Sequence, residues 1–122
     1  MAYKWYFIRC QSGREKRIRD SALTRLGIAG VTDIVPQVMV PFEVVTDMKG
    51  GKKRTREKKL YPGYLMVQAD LEDADEKRTI TARTALRSVD GLRDFLGSRG
   101  EPMAISEEEV ATILSRMTES ES

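Results

Sequence analysis

Residues 59–67, which read Lys-Leu-Tyr-Pro-Gly-Tyr-Leu-Met-Val, constrain the fold of this chain more than any other segment. Their apolar and aromatic side chains favour a β-strand, but Pro62 has no amide hydrogen and therefore requires an edge or a bulge. Gly63 has no side chain, so another backbone or a partner can approach it closely. Because side chains alternate along a strand, both faces of this one would be apolar. We expect the domain's own core to cover one face, and a helix or another molecule to cover the other.

The composition narrows the chemistry that is available. The chain has 122 residues, enough for one domain with one core, and it contains no histidine and a single cysteine, Cys10. Without histidine no Ser-His or Cys-His nucleophile pair can form, and one cysteine cannot supply a thiolate zinc site. The acidic residues cluster at predicted helix starts and in the C-terminal tail. We therefore expect no enzyme, no catalytic residue, no metal and no cofactor.

The cysteine count and the lengths of the apolar runs indicate where in the cell the protein is located. A lone cysteine cannot form an intramolecular disulfide, which fits a reducing cytoplasm. No apolar run reaches the length of a bilayer span, and the apolar run at residues 5–8 is too short for the core of a signal peptide. We therefore expect a cytoplasmic protein without a membrane partner.

Charge is concentrated in one stretch although the net charge is only +2. Within residues 49–59, Glu57 is the only acid among seven cations. The cations are Lys49, Lys52, Lys53, Arg54, Arg56, Lys58 and Lys59. Such a stretch indicates either a solvated loop or a local contact with a polyanion, and the near-neutral remainder argues against wholesale coating by nucleic acid.

The first half of the chain predicts strands around one helix. Residues 3–9 are aromatic and β-branched and are typical of an inner strand covered on both sides. Ser12 and Glu15 have capping-box spacing, followed by a helix to about Leu26 that ends at Gly27. Residues 31–35 predict a short strand, and residues 38–46 a longer one interrupted by Pro41. A long hairpin with a mobile tip would then join it to the strand at residues 59–67.

The second half predicts two more helices. Residues 73–76 have the D-x-x-E form of a helix start, and the helix runs to about Ser88. A strand at 92–96 and a loop at 97–102 precede a third capping box, Ser106 to Glu109. The last helix buries Val110 and the apolar residues that follow it at helical spacing. The order β-α-β-β-β-α-β-α predicts an α+β fold in which helices flank an antiparallel sheet, on a ferredoxin-like or RNP-like plan.

Several motifs together resemble one family. These motifs are Trp5-Tyr6, Val40-Pro41, the 60–67 segment, Phe95-Leu96-Gly97, Pro102 and Ser106-x-x-Glu109. In this order they resemble the N-terminal (NGN) domain of the NusG family of transcription elongation and antitermination factors, from residue 3 to about 117. The resemblance implies an NGN domain over 1–118, with 119–122 as the start of a linker or tail. It also implies that the family's KOW domain, which contacts ribosomal protein or Rho, is absent from this chain.

The resemblance further implies a function without covalent chemistry. NGN domains bind RNA polymerase, with the clamp helices of the largest subunit on one side of the DNA channel and the gate loop of the second-largest subunit on the other. In this way they modulate pausing, elongation, termination and antitermination. We expect a monomer that also contacts non-template or upstream DNA.

The resemblance also places the site residues. The polymerase-binding set is Tyr61, Pro62, Tyr64, Met66 and Ile105. The set expected to contact nucleic acid or the gate loop is Lys52, Lys53, Arg54, Thr81, Arg83, Thr84, Arg87 and Ser88. Some relatives carry a polar pair before a Pro-Gly at the end of the second helix. Here Ser88-Val89 precedes Asp90-Gly91, so we expect phosphate contact and not base reading.

Two other classes of function remain open on the residues alone. A free-standing RNA-binding module of RNP-like plan would need exposed aromatics on an open sheet face. The Gly-Phe-x-Phe core of that motif is absent from the sequence. An enzyme on the same plan is disfavoured by the missing histidine.

Overall fold

A computed structural model describes residues 2–72 and 74–119. The helices are α1 (Glu15–Ala29), α2 (Glu76–Arg87) and α3 (Glu107–Glu119). The strands are β1 (Lys4–Cys10), β2 (Gln37–Met39), β3 (Phe42–Lys49), β4 (Lys52–Lys59), β5 (Tyr64–Ala69), β6 (Leu92–Phe95), β7 (Gly97–Ser98) and β8 (Glu101–Pro102). A four-stranded antiparallel sheet has the order β2-β5-β1-β6, while β3–β4 and β7–β8 are separate two-stranded ribbons. The predicted α+β class with an antiparallel sheet and flanking helices is confirmed.

One face of the sheet carries the main core. Tyr6 and Ile8 of β1 and Leu65 and Val67 of β5 lie on this face, because alternate residues of a strand share a side. Helices α1 and α2 cover it, and their core side chains are Ile18, Ala22, Leu26, Ala82 and Leu86. Helical spacing predicts these core residues, but it also predicts Leu23 beside the α1 stripe, and Leu23 is 39% exposed. Strand β1 is the inner strand that its composition predicted.

The opposite face of the sheet is covered by the C-terminal part of the chain. Trp5 of β1 accepts a hydrogen bond at its carbonyl from the Ile105 amide at 2.8 Å, which fixes the loop before α3 on the sheet. Helix α3 packs against β3, and its Ile113 is buried. Ser106 begins this helix as predicted, because its Oγ accepts from the Glu109 amide at 3.2 Å. On this face of β5, Met66 is buried, whereas Tyr64 and Gln68 are half-buried.

Helix α1 differs from the prediction at both ends. Arg14 is the N-cap residue and makes no side-chain cap bond, so the predicted capping box from Ser12 is wrong. The helix continues past Gly27 to Ala29, where Gly30 adopts the left-handed conformation with φ 71°. The Gly30 amide then donates to the Gly27 carbonyl at 3.1 Å, which closes the last turn three residues later than expected.

The segment between α1 and β4 also differs from the prediction. Residues 31–35 form a turn and not a strand, because the amides of Ile34 and Val35 both donate back to the Val31 carbonyl. The predicted single strand over 38–46 is two strands in two sheets, β2 and β3. The break falls at Pro41, which has no amide hydrogen to continue a ladder.

The basic stretch forms a regular ribbon. The predicted long hairpin is confirmed, but β3 and β4 remain paired up to Lys49 and Lys52, where the prediction placed a loop. Gly50 and Gly51 form the two-residue turn with φ of 60° and 75°, as a type I′ turn requires. Residues 60–63 are not part of a strand, since β5 begins only at Tyr64.

The end of α2 and the 97–102 segment also differ from the prediction. Asp75 caps α2 by accepting from the Lys77 amide at 2.8 Å, whereas Asp73 of the predicted helix start lies outside the described residues. The helix ends at Arg87, one residue before the predicted end. Residues 97–102 contain the small β7–β8 ribbon and not an irregular loop.

Candidate functional site

The Pro62-Gly63 pair forms a tight turn between β4 and β5. The Tyr64 amide donates to the Tyr61 carbonyl at 3.1 Å, and Gly63 has φ 84°. Proline at the second position and a positive φ at the third are the requirements of a type II turn. The Gly63 carbonyl accepts from the Cys10 amide at 2.9 Å, so the turn is tied to the end of β1.

A buried carboxylate is hydrogen-bonded to this turn. Glu15, the first residue of α1, is only 1% exposed. Its Oε1 accepts from the Gly13 amide at 2.7 Å and from Lys59 Nζ at 3.0 Å. Its Oε2 accepts from the Gly63 amide at 3.1 Å. Glu15 therefore joins the start of α1, the end of β4 and the Pro62-Gly63 turn.

The environment of Glu15 keeps this carboxylate ionised. Burial alone would raise the pKa of Glu15, because a charge is costly in an apolar interior. The amides of Gly63, Glu15 itself and Gly13, together with the Lys59 ammonium, outweigh burial and lower the pKa below its ordinary value.

Three aromatic rings lie together above the turn, and we call them the aromatic patch (Phe7, Tyr61 and Tyr64). The centroid of the Phe7 ring is 4.9 Å from that of Tyr61 and 6.0 Å from that of Tyr64. The Arg9 guanidinium carbon lies 5.9 Å from the Tyr64 centroid. All three residues are half-buried, so each keeps part of its surface accessible to solvent.

Apolar side chains extend the aromatic patch towards α3. A groove of about 340 Å³ runs from Phe7 past Leu96 and Met103 to Ile105, with Glu109 at its rim. Leu96 is 45% exposed and Met103 is 61% exposed, while Ile105 is half-buried. We call the aromatic patch together with these three residues the docking surface.

The structure brings together most of the predicted polymerase-binding residues. Tyr61, Tyr64 and Ile105 belong to the docking surface, and Pro62 is exposed at the turn beside it. Met66 does not reach the surface, because it is 0% exposed between its strand partners Phe7 and Met39. The prediction that Met66 is a contact residue is therefore corrected: its side chain supports the surface from beneath.

The docking surface includes residues that the sequence prediction missed. Phe7 lies on the same face of β1 as Trp5, and the aromatic residues of this inner strand are predicted to be core. Leu96 and Met103 follow β6 in irregular segments, where no periodicity marks a buried face. Each is a large apolar residue in a stretch of glycine and polar residues, but single exposed apolar residues are common on protein surfaces, so only their proximity in the fold marks them.

The predicted basic residues lie on the exposed strand β4. Lys52, Lys53 and Arg54 are all exposed, as is every other residue of this strand. Further along it, Arg56 Nε binds Asp47 at 3.1 Å and Glu57 binds Lys16 at 2.6 Å. Within residues 2–72 and 74–119, Lys52, Lys53 and Arg54 form no salt bridge.

The structure places the predicted residues of α2 away from the docking surface. Helix α2 covers the other face of the sheet. Thr81 and Ser88 donate their hydroxyls to carbonyls of their own helix, those of Lys77 and Ala85. Arg87 Nε binds Asp94 of β6 at 3.3 Å. Among the predicted contact residues of α2, Thr84 is exposed and Arg83 is half-buried. The side chains of these two residues are therefore the more available ones for a partner.

The described residues contain neither a thiol of lowered pKa nor a metal-binding cluster. Burial raises the pKa of the Cys10 thiol to about 11, with Glu15 adding to the shift, so the thiol is protonated at neutral pH. Across 2–72 and 74–119, acids and cysteine do not cluster in a way that could hold a metal ion. Over the same ranges, no helix combines the length and the apolar character needed to cross a membrane.

Comparison with known proteins places the chain in a family. Residues 3–114 match the family described as "Transcription termination factor nusG". The NusG transcription termination/antitermination protein of Treponema pallidum is 34% identical over 122 residues, which is 98% of this chain and 64% of that protein. The protein of the same name from Thermus thermophilus is 35% identical over 115 residues, which is 93% of this chain and 61% of that protein.

A solved structure agrees with the fold. The structure described as "Domain interaction in Thermotoga maritima NusG" matches with a TM-score of 0.72 at 24% identity, covering 100% of this chain and 61% of that one. The chain thus spans about three-fifths of the length of the relatives that it matches. Because the matched residues 3–114 make up most of the sequence, the chain belongs to the NusG family.

Proposed function

We propose that this chain is a transcription elongation factor domain that binds RNA polymerase through the docking surface. Its relatives in Treponema pallidum and Thermus thermophilus are named transcription termination/antitermination proteins. The observation that carries the proposal is the docking surface itself, in which half-buried aromatic rings are continuous with the exposed side chains of Leu96 and Met103. Aromatic anchors with an apolar surround are typical of the energetic centre of an interface.

The clamp helices of the largest polymerase subunit are the occupant that we propose for the docking surface. An amphipathic helix binds well to an apolar groove, because its side chains at i, i+3 and i+4 form one face. The groove lined by Phe7 and Ile105 is apolar over much of its surface, and the exposed Glu109 is also among its lining residues. A helix with apolar residues on one face and a basic residue beside them would fit both features.

The consequence for transcription follows from differential binding. A ligand shifts a conformational equilibrium only by its difference in affinity for the two states. We propose that the domain binds more tightly when the clamp is closed, because contacts on both sides of the DNA channel are then made at once. The gate-loop contact is assigned to α2, whose Arg83 and Thr84 lie on the other side of the sheet from the docking surface. By this route the domain modulates pausing, elongation, termination and antitermination.

The free-standing RNA-binding module is the less supported alternative. Stacking of bases on an RNP-type sheet requires an open face with accessible aromatics on the inner strands. Here α3 and the loop before it lie on the face that holds Phe7 and Trp5, and Trp5 is hydrogen-bonded to that loop. A pull-down with core RNA polymerase alongside one with single-stranded RNA separates the two functions.

The decisive experiment compares variants on the two sides of the sheet. We expect Tyr64→Ala to weaken co-elution with core RNA polymerase by about thirtyfold, as for an interface anchor. Met103→Glu adds a charge to a side chain that is already exposed, so it should reduce binding without disturbing the fold. The matched control is Ile28→Glu, since Ile28 is 78% exposed on α1 and remote from the docking surface. Full binding by folded Met103→Glu and Tyr64→Ala proteins would contradict the proposal.

A further inference from the structure

The outer edge of β4 is open to another strand. Among the described residues β4 pairs with β3 alone, and the β3–β4 ribbon is separate from the four-stranded sheet. Every residue of β4 pairs with β3 without a bulge, none of them is proline, and all are exposed. Proline, bulges and short length are the usual features that stop a strand edge from pairing, and this edge has none of them.

The hydrogen-bond pattern of the ribbon shows which backbone groups lie on this edge. In an antiparallel pair, opposed residues alternate between those that bond to each other and those whose amides and carbonyls point outwards. The Leu60 amide donates to the Pro41 carbonyl at 3.0 Å, so these two residues are of the bonded kind. Alternation along the register from that pair leaves the backbone groups of Lys53, Thr55 and Glu57 pointing outwards. We call Lys53, Thr55 and Glu57 the free edge.

The side chains next to the free edge are basic on one side of the ribbon. Four cations alternate along β4 and therefore project to the same side, namely Lys52, Arg54, Arg56 and Lys58. Arg56 Nε binds Asp47 of β3 at 3.1 Å. Within residues 2–72 and 74–119, the other three cations form no salt bridge. In an added strand, carboxylates two residues apart would lie beside these cations, because neighbouring strands are about 4.8 Å apart.

The charges also determine which strands can pair here. A second copy of β4 would place like charges beside each other, which destabilises a strand pair, and lysine on an edge strand is a common protection against such pairing. An acidic strand would meet opposite charges instead. The other strand of the ribbon is less suitable for it, because β3 carries Glu43 and Asp47 and packs against α3.

We propose that the free edge binds an extended acidic segment of another protein, which adds to the ribbon as a third β-strand. In this mode of recognition, backbone hydrogen bonds give affinity and alternate side chains give specificity. The proposal goes beyond the proposed function, which gives the ribbon no protein partner. The partner that fits has Asp or Glu at every second position of the segment, on the side of the ribbon that holds Arg54 and Lys58.

The contacts of α1 limit the length of the added strand. Glu57 binds Lys16 of α1 at 2.6 Å, and Lys59 binds Glu15 at the start of that helix at 3.0 Å. These ion pairs occupy the inner end of β4, so the open part of the edge runs from Lys53 to Glu57. A segment of about five extended residues covers this length.

The test measures binding of the chain to a short labelled peptide in which glutamate alternates with threonine, by fluorescence anisotropy at physiological salt. Thr46 and Thr55 offer a matched pair of variants, because they are directly opposed and exposed, with their amides on opposite edges of the ribbon. Proline is tolerated where the amide of an edge strand faces solvent. Thr55→Pro removes a donor from the free edge and should weaken binding about tenfold, as for one lost hydrogen bond. Thr46→Pro places the same residue on the other edge and should leave binding near that of the wild-type chain.

Amide exchange in the wild-type chain tests the mode of binding without any substitution. Addition of the peptide should slow exchange at the three amides of the free edge. The amides of Lys52 and Arg54 already bond to β3, so their exchange should change little. A control peptide of the same composition, with its glutamates contiguous, should bind about threefold more weakly, because fewer carboxylates then lie beside the cations.

Each comparison decides the proposal. Equal losses with Thr55→Pro and Thr46→Pro would overturn it, because damage to the ribbon would then explain both. Equal affinity for the two peptides would also overturn it, since attraction between opposite charges needs no strand pairing. Unchanged exchange at the free edge with peptide bound would exclude strand addition, even where a proline variant loses the ribbon.

Discussion

A single buried carboxylate determines the geometry of the candidate site. The Glu15 side chain is buried, and its two carboxylate oxygens accept hydrogen bonds from three separate segments of the chain. The turn that it holds carries Tyr61 on one side and Tyr64 on the other. Glu15 does not itself face the partner, so its role is to position these two rings.

Neutralising this side chain tests that role. We expect Glu15→Gln to lower the free energy of unfolding by about 2 kcal/mol, because a hydrogen-bonded buried charge is removed and the Gly63 amide loses a strong acceptor. Urea denaturation at pH 7 measures the change. The matched control is Glu57→Gln, whose exposed ion pair with Lys16 should contribute less than about 1 kcal/mol. Equal small losses in both variants would contradict the positioning role.

The pH dependence of stability follows from the same residue. The folded-state pKa of Glu15 lies below the ordinary value of about 4.3, so the stability it contributes is present above that pH. That contribution is lost as the pH falls through the folded pKa, since the protonated acid no longer attracts Lys59. We expect the stability gap between the wild-type chain and Glu15→Gln to narrow below about pH 4. A gap that stays constant between pH 7 and pH 3 would assign the effect of the substitution to packing instead.

Local sequence patterns could not reveal the part that Glu15 plays. Ser12 and Glu15 have the spacing of a capping box, and nothing nearby in the sequence contradicts it. The partner that decides the outcome is Gly63, which lies 48 residues away. Alternation along β5 places Tyr64 and Met66 on the same face of the sheet. It does not show that Met66 is buried, because its burial depends on distant elements that cover this face.

At the scale of elements, apolar periodicity predicted the helices, whereas backbone pairing and the turn glycines determined where β3 and β4 form. The apolar spacing in α1 and α2 identified their buried stripes, because each helix has one face against the sheet. The basic stretch lacks an apolar pattern, so it resembled a loop. It forms a strand because each residue of β4 has a partner in β3, and because two glycines supply the positive φ that the turn needs.

The turn of the ribbon provides a test at this scale. Gly50 has φ 60° and open space around it, so only backbone strain opposes a side chain there. We expect Gly50→Val to cost the ribbon about 1–2 kcal/mol, because a β-branched residue rarely adopts this conformation. Gly50→Asn creates the Asn-Gly pair that type I′ turns prefer and should retain the ribbon. Amide exchange of residues 46–55 measures the difference, and equal protection in both variants would contradict the assigned turn.

At the scale of the whole molecule, the sheet separates three surfaces. The docking surface lies on one face and α2 on the other, while Lys52, Lys53 and Arg54 are exposed on the separate β3–β4 ribbon. The order of predicted elements gave the fold class, and the motifs shared with the family predicted three of the six residues of the docking surface, Tyr61, Tyr64 and Ile105. The sequence did not show where the three surfaces lie relative to one another, because the positions of β4 and α2 relative to the sheet depend on which strands pair.

This separation predicts that the docking surface and Lys52, at the far end of the ribbon, act independently. Lys52 lies seven residues along an extended strand from Lys59, or about 24 Å, and Lys59 precedes the turn that carries Tyr64. Substitutions at that distance without shared partners contribute additively to binding free energy. In a polymerase complex with duplex DNA, we expect the fold-losses of Tyr64→Ala and Lys52→Gln to multiply in the double variant. With core polymerase alone, only Tyr64→Ala should weaken binding. A loss from Lys52→Gln in the absence of DNA would mean that the ribbon contacts protein, since no other polyanion is then present.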